Sequence, residues 1–144
     1  MMKRVGKIVL GMVVVLLLMQ LGQCERTNPP VTGEIDAPAD VKAVLERSCY
    51  DCHSNRTVWP WYSRVAPMSW LVHRDVMEGR RHVNFSEWDK VPADKRARRI
   101  AACGREVKSG DMPLWFYLPL HPSAKLSDAD KALIEKWAGV ADQH

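Results

Sequence analysis

The sequence predicts an all-α fold: a small helical domain with long ordered loops, preceded by an N-terminal membrane anchor or signal. Three observations carry this expectation. Apolar side chains recur at three- and four-residue spacing in the stretches 39–48, 68–81, 92–108 and 127–140. No run alternates apolar and polar residues as a half-buried strand does. The 9 prolines fall between those stretches or at their borders, where they interrupt no helix. Of the 144 residues, about 110 to 120 follow the N-terminal segment, the size of one domain with a modest core. The net charge of +4 and pI near 9.0 suit an acidic protein partner or an anionic membrane surface. The excess is too small and dispersed for nucleic acid, and no zinc-finger or helix-turn-helix pattern accompanies it.

Residues 1–24 read as an anchor or signal. Lys3, Arg4 and Lys7 precede the apolar run 8–19, and Leu21 extends it after Gln20. Positive residues followed by apolar ones is the order of a signal peptide. A run of about 14 residues is long for a cleaved signal core and short of the about 20 that span a bilayer. No Ala-x-Ala site follows, so an uncleaved anchor is expected ahead of a cleaved signal, and the positive-inside rule then places the remainder outside the cytoplasm. Leu21-Gly22-Gln23-Cys24 offers another route, since a cysteine straight after an apolar core is a site of lipidation. Gln23 is bulky where a lipoprotein carries a small residue. Each route exports the domain and ties it, or delivers it, to the outer side of the inner membrane.

Residues 25–38 read as a linker, with Pro29, Pro30, Pro38 and Gly33 and few apolar side chains. The first helix of the domain is expected over Ala39–Ser48, where Val41, Val44 and Leu45 form the apolar stripe and Asp40 lies near the start. Residues 55–67 are loop-like and aromatic. Residues 68–81 form a helix with Trp70, Leu71, Val72, Val76 and Met77 on its apolar side, and Gly79 weakens its end. A turn follows at 84–88. Pro92 opens a helix to Lys108, with Ile100, Cys103 and Val107 repeating at three and four. Residues 110–123 are extended and proline-rich. Ser127 caps the last helix, with Asp128 and Asp130 in its first turn and Leu133, Ile134 and Trp137 on its buried face.

The chemistry concentrates in Ser48-Cys49-Tyr50-Asp51-Cys52-His53-Ser54. Cys-x-x-Cys-His is the attachment signature of a c-type haem. The two thiols form thioethers to the porphyrin edge, and the histidine places an imidazole nitrogen under the iron. One helical turn gathers all three on a common face. With 4 cysteines and 5 histidines in 144 residues, the motif is a rare product of chance.

With His53 as proximal ligand, the far side of the iron decides the function. Met112, in Ser109-Gly110-Asp111-Met112-Pro113, is the first candidate for the distal ligand. It follows a helix and opens a proline-fixed loop able to wrap the far face, and its soft thioether suits ferrous iron and raises the potential. His121 is the distal alternative. His73 and His82 read as surface residues, and Met68 and Met77 as core fillers. Trp59, Trp61 and Trp115, in loops beside the motif and beside Met112, are candidates to pack on the haem. Trp70 and Trp137, at helical spacing, read as core. Arg56 and Arg64 are possible partners of a haem propionate. Cys103 is left over as a buried thiol on an apolar helical face.

The ordered set of motifs goes further. Thr27-Asn28-Pro29-Pro30, Cys49-Tyr50-Asp51-Cys52-His53-Ser54-Asn55, Trp59-Pro60-Trp61-Tyr62, Glu78-Gly79-Arg80, Asn84-Phe85-Ser86-Glu87-Trp88 and His121-Pro122-x-Ala124-x-Leu126-Ser127 together resemble the bacterial haem-binding domain family related to cytochrome c. The resemblance covers nearly the whole chain beyond the N-terminal run. It implies an exported domain over 39–144 with a cytochrome c-like helical fold and one haem c. Cys49 and Cys52 would be its attachment thiols and His53 its proximal ligand, with Met112 at the Met-Pro position that supplies the distal ligand in class I cytochromes c.

Electron transfer with a redox partner in the bacterial periplasm or membrane is therefore the leading expectation, and an electron carrier is favoured over an enzyme. The competing reading is a haem enzyme or sensor for peroxide or gas, with an open or labile sixth site and His73, His82 or His121 as distal acid or base. A reading without haem, as a thiol–disulfide pair or half a zinc site, lacks both the βαβ context and a second ligand pair.

Overall fold

Apolar stripes of three helices close on one another to make the body of the domain. In the computed structural model, which describes residues 2–140, helix α2 (Ala39–Ser48) buries Val41, Val44, Leu45 and Ser48. Val44 joins Val107 from α5 (Ala93–Ser109) and Ile134 from α6 (Asp128–Trp137), with Leu126 from the preceding loop. Val41 and Leu45 turn instead to Ile35, Tyr50, Val83, Phe85 and Trp88, a cluster rich in rings that lies behind the cysteine motif. Among the described residues there is no strand, and one isolated bridge pairs Gly33 with Glu87. The all-α expectation is met. The last four residues of the domain expected over 39–144, and the side chain of Lys3, lie outside the described part.

Local chemistry sets the helix ends. Ser127 and Asp130 form a capping box, each side chain accepting from the other's backbone N–H, at the start of α6. Helix α5 stops at Gly110, whose φ of 81° is the left-handed conformation that glycine adopts without penalty. The last helix ends at Trp137 rather than continuing to 140, because Gly139 turns the chain at φ 66°. Between Tyr50–His53, the short helix α3 that carries the motif, and α4 (Met68–His82), the aromatic loop contains a 3₁₀ turn at Trp61–Arg64.

The segment expected as a linker has no helix, as its prolines require, yet it is laid against the domain. Thr32 and Gly33 donate backbone N–H groups to the Ser86 carbonyl, Ile35 donates to Phe85, and Trp88 donates back to Gly33. Ile35 is buried in the ring-rich cluster. Glu34 meets Lys42 at 3.1 Å and Arg56 at 3.0 Å and accepts from the Tyr50 hydroxyl.

Helix α1 (Met2–Met19) is exposed from Arg4 to Leu18, and Gln20, just past its end, exchanges hydrogen bonds with the backbone of Ala66. Among the described residues, no helix is long and apolar enough to cross a membrane. The uncharged part, 8–19, rises about 18 Å at 1.5 Å per residue, well short of a hydrocarbon core of about 30 Å.

Candidate haem-binding site

The cysteine motif is built on a junction between helices. Helix α2 ends at Ser48, and α3 starts one residue later, so that the N–H groups of Cys52 and His53 both bond to the carbonyl of the joining residue, Cys49. Cys49, Cys52 and His53 thereby line one wall of a cavity of about 830 Å³. That volume lies within the range of small-molecule sites. Leu45, Val83, Phe85, Val107, Leu114 and Ile134 supply its apolar walls, with Met112 on the side contributed by the 110–121 loop.

His53 is the most constrained ring in the site. Its Nδ1 lies 3.0 Å from the Gly79 carbonyl and 3.2 Å from the Val83 carbonyl. Carbonyls only accept, so Nδ1 carries the proton and Nε2 is left as the metal-binding nitrogen. Backbone carbonyls orient metal-ligating histidines in this way. Burial pushes the pKa of His53 down, against the smaller upward pull of the two carbonyls. The ring is therefore held neutral, the form that binds a metal.

Gly79 makes that arrangement possible. A Cβ built there would stand 2.4 Å from the Cys52 carbonyl. Only glycine lets α4 approach the motif closely enough for its carbonyl to reach His53. One residue on, Arg80 clamps the chain that leaves the motif. Its guanidinium donates to the carbonyls of Ser54 (2.8 Å) and Thr27 (3.0 Å), to Asn28 Oδ1 (2.9 Å) and to Thr57 Oγ1 (2.9 Å). Asn55 extends the same network. It donates to the Pro30 carbonyl and to Glu87, and it accepts from Asn84.

The two motif thiols are held protonated. Burial, and secondarily the neighbouring Cys103 and Cys52, push Cys49 up to about 12. Burial, then Asp51 and Asp75, push Cys52 up to about 12. Burial likewise raises Cys103 to about 11. All four cysteines are unpaired. Among the described residues, no group of three or more His, Cys, Asp or Glu is arranged to hold a metal ion.

The structure separates the distal candidates. Met112 lines the cavity that His53 lines, and its N–H bonds to the Glu106 carbonyl at the α5 terminus. His121 does not line it. Its ring stacks on Tyr117 at 3.8 Å and 8°, with Nδ1 3.1 Å from the Tyr117 carbonyl and Nε2 3.3 Å from the Tyr62 hydroxyl. The tryptophan expectation is corrected. Trp61 and Trp115 are 77% and 80% exposed, and neither they nor Trp59 line the cavity. Of the neighbouring rings only Tyr117 lines the cavity, while Tyr62 and His121 pack on each other beside it. Arg56 is drawn to Glu34, and neither it nor Arg64 borders the cavity. His82, expected on the surface, is exposed but stands at the cavity's edge, and Cys103 lines the cavity.

Sequence reading missed the roles of Gly79, Arg80 and Tyr117. Tyr117 donates to Asp51 Oδ2 at 2.7 Å and so ties the distal loop to the motif. In the sequence, Gly79 stands out as a glycine inside a helix, at a cost of about 1 kcal/mol, and as part of the Glu78-Gly79-Arg80 motif.

A neutral imidazole fixed by backbone, flanked by two thiols and facing a largely apolar cavity, fits a porphyrin edge and its iron. Fold and site thus define an all-helical haem-binding protein. The model of the family described as "Haem-binding domain" matches residues 14–139, and the chain belongs to that family. No curated protein and no solved structure matches the chain.

Proposed function

We propose that the protein is an exported c-type cytochrome that carries one covalent haem and transfers single electrons. The observation that carries this reading is the His53 ring, held by the Gly79 and Val83 carbonyls on the cavity that Cys49 and Cys52 also line. When bound, haem supplies a one-electron iron couple. Cys49 and Cys52 would hold the porphyrin edge as thioethers. His53 presents Nε2 to the iron and keeps its proton on Nδ1. Met112 would supply the second iron ligand, supported by its place on the same cavity and by the engagement of His121 outside it. The apolar walls exclude water, which favours little rearrangement between redox states.

The site of action is the bacterial periplasm, where a membrane or soluble redox partner exchanges electrons with the domain. Residues 1–24 supply export and an inner-membrane tether. The exposed apolar face of α1 supports association with the bilayer, and its short apolar length restricts how it inserts.

Absorption spectra of the protein made with a haem-attachment system test the reading. A haem that survives denaturation, a low-spin spectrum with a Met-to-iron charge-transfer band and no carbon monoxide binding are expected. Met112→Ala is expected to lower the potential and open the iron to carbon monoxide. High-spin iron that binds carbon monoxide quickly in the wild type would instead favour an enzyme or gas sensor. An unchanged spectrum in Met112→Ala would remove that residue as the ligand.

A further inference from the structure

The mouth of the cavity carries opposite charges on its two lips. Asp75 and Glu78 border it from α4, and Glu78 is already met by Arg74 and Arg81. Lys95, Arg98, Arg99 and Arg105 border it from α5, where the main competing carboxylate is Glu106. Arg99 is committed, because it donates to the His82 carbonyl. Arg98 and Arg105 are exposed, and neither forms an ion pair among the described residues.

Helix geometry places these two arginines at the outer margin of the site. At 3.6 residues per turn, Arg98 and Arg105 fall within about 20° of each other, along one row with Ala102 between them. Cys103 lies about 140–160° round the helix from them, on the inner flank beside Cys49. The α5 strip that faces the cavity therefore runs from the motif thiols to the two arginines. A haem has its vinyl groups on two adjacent pyrroles and its propionates on the other two. With the vinyl side held by Cys49 and Cys52, the propionates emerge on the opposite side. There the α4 lip repels carboxylates and the α5 lip attracts them.

We infer that Arg98 and Arg105 bind the two haem propionates. This rests on the haem reading above. Guanidinium groups suit the role because each donates two parallel hydrogen bonds to a carboxylate. The assignment replaces Arg56 and Arg64, which the fold carries elsewhere.

The test compares ferric haem with its propionate dimethyl ester, titrated into the full chain prepared without attachment machinery and with reduced thiols. Wild type is expected to bind haem about tenfold or more tighter than the ester, as charge-assisted hydrogen bonds imply. Arg98→Gln/Arg105→Gln is expected to bring the two affinities together while its far-ultraviolet circular dichroism stays unchanged. A wild type that takes up both porphyrins equally, or a double variant that keeps the full difference, would overturn the assignment alone. Failure to take up either porphyrin, together with no haem attached in an exporting host, would overturn the haem reading and this inference with it. In covalently loaded protein, the same exchange is expected to lower the midpoint potential, because two cations leave the haem edge. Lys136→Gln, on the exposed face of α6, removes a charge elsewhere. An equal shift per charge in that control would also overturn the assignment.

Discussion

On the His53 side of the cavity the backbone is stitched together from several directions. Gly79 and Val83 hold the imidazole, Arg80 and Asn55 bind the chain that leaves the motif, and residues 32–35 close over Phe85 and Ser86. On the Met112 side a single loop spans 110–121. It is held by the α5 terminus, by the Tyr117–Asp51 hydrogen bond and by the stack of Tyr117 on His121, and it exposes Trp115, Phe116 and Leu120. The first wall is tied by many hydrogen bonds from separate segments; the second is tied by few. A cofactor site built this way takes its rigidity from the proximal wall and leaves the distal wall open to adjustment.

The largest break in this contrast comes from His53→Ala, which removes the group that the whole proximal network serves. Loss of the low-spin haem spectrum is expected by absorption after co-expression with an attachment system. A wild-type spectrum would show that the network has another purpose. Gly79→Ala comes next, because its Cβ meets the Cys52 carbonyl, which is backbone and cannot swing aside. Urea titration should show a loss of about 3 kcal/mol, the upper part of the usual overpacking range. A loss below that of Gly110→Ala, which strains only a left-handed residue at φ 81°, would contradict the proximal lock.

A smaller effect sharpens the comparison between the walls. Arg80→Ala removes four donors from the proximal side and is expected to cost about 2 kcal/mol. Tyr117→Phe removes the hydroxyl bond from the distal loop to the motif and is expected to cost about 1 kcal/mol. Equal losses in urea would erase the asymmetry. The smallest effect lies away from both walls. Ser127→Ala should cost about 1 kcal/mol at neutral pH through the lost cap. The Ser127 backbone and hydroxyl, followed by Arg47, hold Asp130 below the usual carboxylate range. A depressed carboxylate stabilises the fold above its unfolded pKa of about 3.9 and loses that contribution as pH falls through the folded value. The penalty of Ser127→Ala should therefore shrink in acid, as thermal melts at pH 7 and pH 3 would record.

Much of the fold was legible because its signals are local. The stripe Val41, Val44 and Leu45 marked α2, and Ser127 with Asp130 marked the start of α6. Cys49, Cys52 and His53 could be read together because one turn of backbone brings them to one face. The positions of Trp61 and Trp115 were not legible. Nearness in sequence to a motif says nothing about which way a loop side chain points, and of the rings in these two loops only Tyr117 lines the cavity. The 25–38 segment has the composition of a tether, and only its pairing with Phe85, Ser86 and Trp88 makes it part of the domain.

The sequence by itself determined the helical class, the motif and the haem-binding family, since helix periodicity, capping and the spacing of cysteine and histidine are short-range properties of the chain. Tertiary structure alone decided which edge of His53 is protonated, why residue 79 must be glycine, that Met112 rather than His121 shares the cavity, and which arginines reach its mouth. Each of these depends on a meeting of segments 25 or more residues apart, and such meetings are set by packing rather than by local propensity.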